Sequence, residues 1–189
     1  MPMLAANTLH SRRAVLWRVI ALAVLAPAAG LPLQGDAAEL VEIESFDAKG
    51  KSLGRNRVTK VVRSEAEWRR ALSPESFEIT RHAGTETAYS GAYWNLHKDG
   101  LFRCVCCASA LFDSRSKFDS GTGWPSFTRP ISRSNVVEKS DGSFGMQRTQ
   151  VSCKRCDAHL GHVFDDGPPP TGQRYCMNSV ALTFISRGT

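Results

Sequence analysis

The chain has 189 residues, 42% of them hydrophobic and 22% charged, which suits one packed domain with an appendage and excludes wholesale disorder. The formal charge is +6, of which residues 1–37 carry +2 through Arg12, Arg13 and Arg18 against Asp36. The rest is modestly basic without a Lys/Arg cluster, which argues against a nucleic-acid partner.

Residues 11–16 read Ser-Arg-Arg-Ala-Val-Leu, and an Ala-, Val- and Leu-rich stretch runs from Val19 to Leu33, broken by Pro27, Gly30 and Pro32. A basic n-region, a short apolar h-region and a small-residue exit describe an export signal. The pair Arg12-Arg13 resembles a twin-arginine signal. No uninterrupted run approaches the roughly 20 apolar residues of a membrane span. Residues 1–37 are therefore expected to be an export signal, cleaved after Ala28, Ala37 or Ala38. The mature protein is expected in a bacterial periplasm, free of the membrane after export. The segment has no cysteine for a lipid anchor.

Residues 38–63 form an N-terminal extension. Glu39–Asp47 alternates apolar and polar residues as a half-buried strand does. Lys49-Gly50 and Gly54 suggest turns, and Val58–Arg63 a second strand. Ser64 and Glu67 have capping-box spacing, with Trp68, Ala71 and Leu72 on one helical face. Ser73-Pro74 offers a second N-cap, for a helix ending before Gly84. Beyond it the signals are β. Asp99-Gly100 and Asp141-Gly142 suggest hairpins, and Gly121, Gly123 and Pro125 a tight loop around Trp124. Residues 167–172 read as an ordered loop and Arg174–Ile185 as one long final strand. The expected fold is mainly β, two short helices followed by antiparallel sheet.

Cys104 and Cys107 form one Cys-x-x-Cys pair, Cys153 and Cys156 another. A tight turn carrying two thiolates is half of a tetrahedral zinc shell, and two such knuckles complete it. The 45 intervening residues exceed ribbon spacing, so each knuckle is expected to end a different hairpin. Disulfides are the alternative in an exported protein. Lys154 and Arg155 favour zinc, because they offset the charge of four thiolates.

Cys106 and Cys176 remain. On a strand, Arg174, Cys176 and Asn178 share one face. A cation beside a thiol favours the thiolate, and Asn178 adds an un-ionised hydrogen-bonding group. A buried structural cysteine is the alternative. His159 and His162 would face opposite sides of a regular strand, but Gly161 permits a bulge that would turn both toward one site; zinc ligation or a surface polar pair is the alternative. With four cysteines filling a tetrahedral shell, the histidines are free for acid–base work. Trp124, on its Gly- and Pro-defined loop, is either core or the apolar wall of a small pocket.

These residues resemble the methionine sulfoxide reductases of the B type, which act on the R epimer of the sulfoxide. The resemblance is carried by Gly84-Thr85-Glu86, Ser90-Gly91, both knuckles, Lys117–Phe127, Arg148-Thr149, Arg155–Phe164 and Asp166–Ser179, and runs from about Ser64 to Phe184. It implies a domain at residues 64–186 with two antiparallel sheets, a β-tent, and peripheral N-terminal helices. It implies structural zinc on Cys104, Cys107, Cys153 and Cys156. It implies that Cys176 is the nucleophile, with His159, His162, Arg174 and Asn178 around it, and that Trp124 holds the S-methyl group. The substrate would be oxidised methionine in proteins, the reductant a thioredoxin-like protein or small thiol, and the chain a monomer.

There is one departure. Many members carry a second, resolving cysteine in the loop before Trp124, where this chain has Thr122. Cys106, between two zinc ligands, is expected to lie beside the metal and away from Cys176, so that an external thiol reduces the Cys176 sulfenic acid directly; resolution by Cys106 despite its position is the alternative. A competing reading, a zinc-knuckle module binding protein or nucleic acid, gives Cys176, His159 and Trp124 no shared purpose. A general disulfide oxidoreductase is disfavoured because neither Cys-x-x-Cys opens a helix in a βαβ pattern.

Overall fold

Residues 38–142 and 147–188 are described in the computed structural model, so the expected export signal at 1–37 lies outside the described residues. The extension is an antiparallel hairpin of β1 (Leu40–Phe46) and β2 (Ser52–Thr59). It buries only Val41 and Ile43. The turn lies at Asp47–Gly50, where the Gly50 N–H donates to Asp47 O at 3.2 Å. Gly54 is a bulge within β2 and not a turn: Leu53 and Gly54 together oppose Ser45, and Gly54 takes φ +90°. The second strand ends at Thr59 and does not run to Arg63, because the Val61 N–H donates instead to Arg155 O at 2.8 Å.

Helix α1 (Glu65–Ala71) begins on the full Ser64–Glu67 capping box, and α2 (Pro74–His82) on Ser73 with Pro74 in its first turn. Trp68 is buried in α1, Leu72 half-buried and Ala71 exposed, so the expected apolar face narrows to two residues. Phe77 and Ile79 anchor α2, which stops at Ala83 in the left-handed conformation, φ 55°.

Among the described residues nine strands follow: β3 (Gly100–Cys104), β4 (Ala110–Asp113), β5 (Lys117–Phe118), β6 (Ser126–Phe127), β7 (Val136–Asp141), β8 (Arg148–Cys153), β9 (His159–Phe164), β10 (Arg174–Met177) and β11 (Leu182–Ser186). They form the two expected antiparallel sheets, one of six strands in the order β5-β6-β10-β9-β8-β7 and one of three in the order β11-β3-β4. The β1–β2 hairpin adds a third, two-stranded sheet. Phe102 and Phe112 of the small sheet meet Phe127 and Tyr175 of the large one, with Phe112 stacked on Phe127 at 4.4 Å between centroids. All four rings are completely buried, and truncating one to Ala would cost about 3–5 kcal/mol.

Two further expectations need correction. Asp99-Gly100 is not a hairpin, since a loop precedes it and Gly100 opens β3, where a Cβ would strike the Ile185 carbonyl. Arg174–Ile185 is not one strand. It leaves the large sheet after Met177, turns at Ser179–Ala181 and enters the small sheet as β11. The buried Glu86 carboxylate accepts the N–H groups of Ser179 (2.7 Å) and Val180 (3.1 Å), withdrawing them from any ladder. Asp141 ends β7 and Gly142 follows it, on the connection between the paired strands β7 and β8. Among the described residues no helix is long and apolar enough to cross a membrane.

Candidate active site and metal centre

Each knuckle ends a different hairpin, as the spacing requires. Cys104 and Cys107 turn from β3 to β4, and Cys153 and Cys156 from β8 to β9. The two turns are built alike. Ala108 N donates to Cys104 O at 2.8 Å and Asp157 N to Cys153 O at 2.9 Å, and Ala108 and Asp157 both take positive φ. The four Sγ atoms lie within 4.8 Å of one another. Cys104 Sγ is 3.6 Å from Cys156 Sγ, and Cys107 Sγ is 3.5 Å from Cys153 Sγ. Those separations exceed the roughly 2.05 Å of a disulfide and approach the edge of about 3.8 Å that Zn–S bonds of about 2.3 Å give a tetrahedron. Hydrogen bonds from Cys104, Cys153 and Cys156 hold Cys107 well below the ordinary thiol range. Cys104, crowded by the sulfurs of Cys106, Cys107, Cys153 and Cys156 and buried, is pushed well above it. A donor set of four such sulfurs fits a soft divalent cation.

Cys106 belongs to this neighbourhood. Its Sγ is buried and lies 3.5 Å from Thr80 Oγ1 on α2. Cys176 sits on β10, opposite Ser126 of β6 and His162 of β9. The partners of the two thiols do not overlap.

The Cys176 sulfur is half-buried and lies under the influence of Arg174 and of the Thr122 and Ser126 hydroxyls. Burial pushes this thiol up, and the pull of Arg174 and the two hydroxyls does not reverse it. The net direction is therefore opposite to that expected from Arg174 alone. Burial is the larger effect; Arg174 itself donates through Nε and Nη2 to the Asp166 carboxylate, both at 2.8 Å, and stacks over Phe164 at 4.5 Å.

The two histidines are brought together by the expected bulge. In β8–β9 pairing Val151 opposes Gly161 while Ser152 opposes His159, so Leu160 is the extra residue. The rings then meet edge-on at 5.3 Å. Their environments differ. His162 Nε2 donates to Asp141 Oδ2 at 2.9 Å, and Arg148 Nη2 donates to the same oxygen at 3.3 Å. His159 is only 3% exposed. The Gln150 amide N–H donates to its Nδ1 at 2.8 Å, which leaves the ring proton on Nε2. Burial lowers its pKa to about 4, with nearby His162 adding to the effect, so it is neutral at pH 7.

A small cavity of about 130 Å³ opens above Cys176. Trp124, Phe164 and Met177 give it apolar walls, and His162, Arg148, Thr85 and Asn178 polar ones. His159 and Arg174 do not line it. They stand one layer behind, against His162 and Cys176 respectively. The cavity falls well below the roughly 300 Å³ of a site for a drug-sized ligand, so it takes the end of one side chain. Asn178 is held by its own amide, with Nδ2 donating to Leu160 O (3.1 Å) and Oδ1 accepting from Glu86 N (3.0 Å).

Sequence reasoning missed Asp141, Gln150 and Asp166 as parts of the site. Gln150 follows Arg148 by two on β8 and so shares its face, a signal that period-2 counting from Arg148 would have found. Asp141 read only as a turn residue, and nothing local distinguishes it.

The SelR domain family matches residues 72–186 of the chain. "Peptide methionine sulfoxide reductase MsrB" of Herminiimonas arsenicoxydans is 56% identical over 125 residues, 66% of this chain and 91% of that protein. The MsrB proteins of Acinetobacter baylyi (55% over 123 residues, 65% of this chain and 88% of theirs) and Pseudomonas putida (54% over 128 residues, 68% and 98%) are similar to a like degree. The chain, with its two sheets, paired cysteine knuckles and thiol–imidazole cleft, belongs to the SelR-domain family, the methionine sulfoxide reductases of the B type.

Proposed function

We propose that the protein reduces the R epimer of methionine sulfoxide in oxidised proteins, using Cys176 as nucleophile. The observation that carries this is the cavity itself: a thiol facing an Asp141-backed imidazole, with Trp124 as an apolar wall, in a space sized for one side-chain terminus. Sulfoxide sulfur becomes electrophilic when its oxygen is protonated. His162, steadied by Asp141, supplies that proton while the Cys176 thiolate attacks sulfur. The sulfoxide sulfur gains two electrons and leaves as a thioether, and the oxygen remains on Cys176 as a sulfenic acid. Trp124 seats the S-methyl group. Asn178 lines the cleft, His159 braces His162 from behind as a neutral ring, and Arg174 favours the thiolate.

Thr122 cannot resolve the sulfenic acid, since a hydroxyl forms no disulfide, although it reaches the Cys176 sulfur. A thioredoxin-like protein or small thiol does so from outside. Its first thiolate displaces water to give a mixed disulfide at Cys176, and a second thiolate restores the free thiol. The metal is zinc, held by Cys104, Cys107, Cys153 and Cys156, and its contribution is to hold two hairpins together. The chain is a monomer exported to the periplasm, and replacing Arg12 and Arg13 by Lys tests the twin-arginine route. The alternative of a zinc-knuckle binding module leaves the thiol–imidazole cleft without a use. Assay of wild type and Cys176→Ser on separated R and S epimers of a methionine sulfoxide peptide tests the reading. Turnover of R only, lost in the variant, supports it; equal turnover of both epimers contradicts it.

A further inference from the structure

Glu86 has no part in the proton or thiol chemistry, yet it touches both sides of the cleft. It lies in the loop between α2 and β3 and is 4% exposed. Its main-chain oxygen accepts the Trp124 indole N–H at 3.1 Å, and its main-chain N–H donates to Asn178 Oδ1 at 3.0 Å. Its carboxylate holds the N–H groups of Ser179 and Val180, the two residues after Asn178. Among the described residues its charge is met by peptide N–H groups and no Lys or Arg forms an ion pair with it. Gly91 allows this approach, since a Cβ there would strike Ser179 Oγ and Glu86 Oε1. Trp124 and Asn178 lie on separate segments, and this single residue bonds to both. Its chain neighbour Thr85 lines the cleft as well.

We infer that Glu86 is a positioning residue that sets the gap between Trp124 and the Cys176–Asn178 segment, and so the placement of the sulfoxide against the thiolate. This rests on the proposed reductase activity. The carboxylate anchors the loop to the turn after Asn178, and the anchored main chain then holds the indole. If the carboxylate grip fails, the indole bond and the Asn178 bond loosen together.

The substitution Glu86→Gln keeps shape but turns one acceptor oxygen into an N–H that opposes a main-chain N–H. Three quantities are measured on zinc-loaded protein: kcat and KM on an R-sulfoxide peptide, alkylation of Cys176 by iodoacetamide, and hydrogen exchange of the Trp124 indole N–H. The inference expects kcat to fall roughly 10²-fold, the usual scale of a small misplacement. It expects faster indole exchange, with alkylation staying within about twofold of wild type, because the thiol's own partners are untouched. An active wild type matched by Glu86→Gln in kcat and indole exchange overturns the inference alone. Activity, alkylation and bound zinc falling together would make Glu86 merely structural and also overturn it. An inactive wild type removes the reductase reading and this inference with it.

Discussion

Gly161 lies directly against Cys176: a Cβ on Gly161 would collide with the main-chain oxygen of Cys176, and Gly161 takes φ +154°. Gly161, next to the extra residue Leu160, also allows β10 to approach β9, so one glycine stands where the histidines are gathered and the thiol is brought to them. Gly161→Ala is expected to cost at least about 2 kcal/mol, from backbone strain plus overpacking, and to remove activity. Urea unfolding with a parallel peptide assay checks both; a stable, active variant would show that the bulge is not needed.

The Cys176 thiol is pushed up by burial and pulled down by Arg174, Thr122 and Ser126. Asp166, an exposed carboxylate, holds Arg174 with two bonds. Asp166→Asn should free the guanidinium to act on sulfur and move the midpoint of Cys176 alkylation to lower pH, whereas Arg174→Ala should move it higher. A titration of alkylation rate against pH reads both shifts. Movement of the two variants in the same direction would contradict this opposition.

His159 carries a pH-dependent part of the stability. Its pKa falls from 6.5 to about 4 on folding, so between those values the unfolded chain binds more protons than the folded one. Stability contributed by the neutral buried ring is therefore full above the unfolded value and is lost as pH falls toward the folded one, by about 3 kcal/mol at most. Other groups also titrate on acidification, so the informative quantity is the difference between wild type and His159→Asn. That difference, from urea unfolding, should shrink as pH drops from about 7 to about 4. A difference independent of pH would contradict the buried neutral ring.

The hairpin at residues 38–63 lies outside the family-matched region yet grips both knuckles. Lys60 Nζ is 2.9 Å from Asp157, and Val61 N donates to Arg155 O at 2.8 Å. Arg103 donates to Ala108 O in one knuckle and to Phe46 O and Asp47 O in the hairpin. Buried Asn135 exchanges two hydrogen bonds with Glu44, donates to Ala110 O and accepts from Lys154 N. Asn135→Ala should cost about 2 kcal/mol or more through orphaned main-chain groups, and should speed zinc release to a coloured chelator. Cys107→Ser should lose the metal altogether, with a stability loss on the order of 10 kcal/mol. Unchanged metal release in Asn135→Ala would show that the hairpin is not a clamp.

Much of this was legible because the signals were local. The Ser64–Glu67 box, Ser73-Pro74 and the two Cys-x-x-Cys turns are each decided within four residues, and each stands as read. The His159–His162 bulge was legible because Gly161 interrupts a short-period pattern. The break after Met177 was not, because Arg174–Ile185 is uniformly strand-like and is cut by Glu86, a carboxylate 93 residues from Ser179. The same holds for the thiol's net pKa direction. Arg174 is visible two residues from Cys176, but burial and the Asp166 clasp are products of the tertiary fold.

In the proposed reaction Cys176 takes the oxygen from the R sulfoxide and keeps it until an external thiol arrives. A single turnover, with one equivalent of R-sulfoxide peptide and no reductant, followed by sulfenic-acid trapping and peptide mass spectrometry, tests it most directly. One methionine per chain and a trapped sulfenic acid on Cys176 are expected, with none formed from the S epimer. Methionine formed while Cys176 stays unmodified, or a Cys106–Cys176 disulfide in place of the adduct, would contradict it.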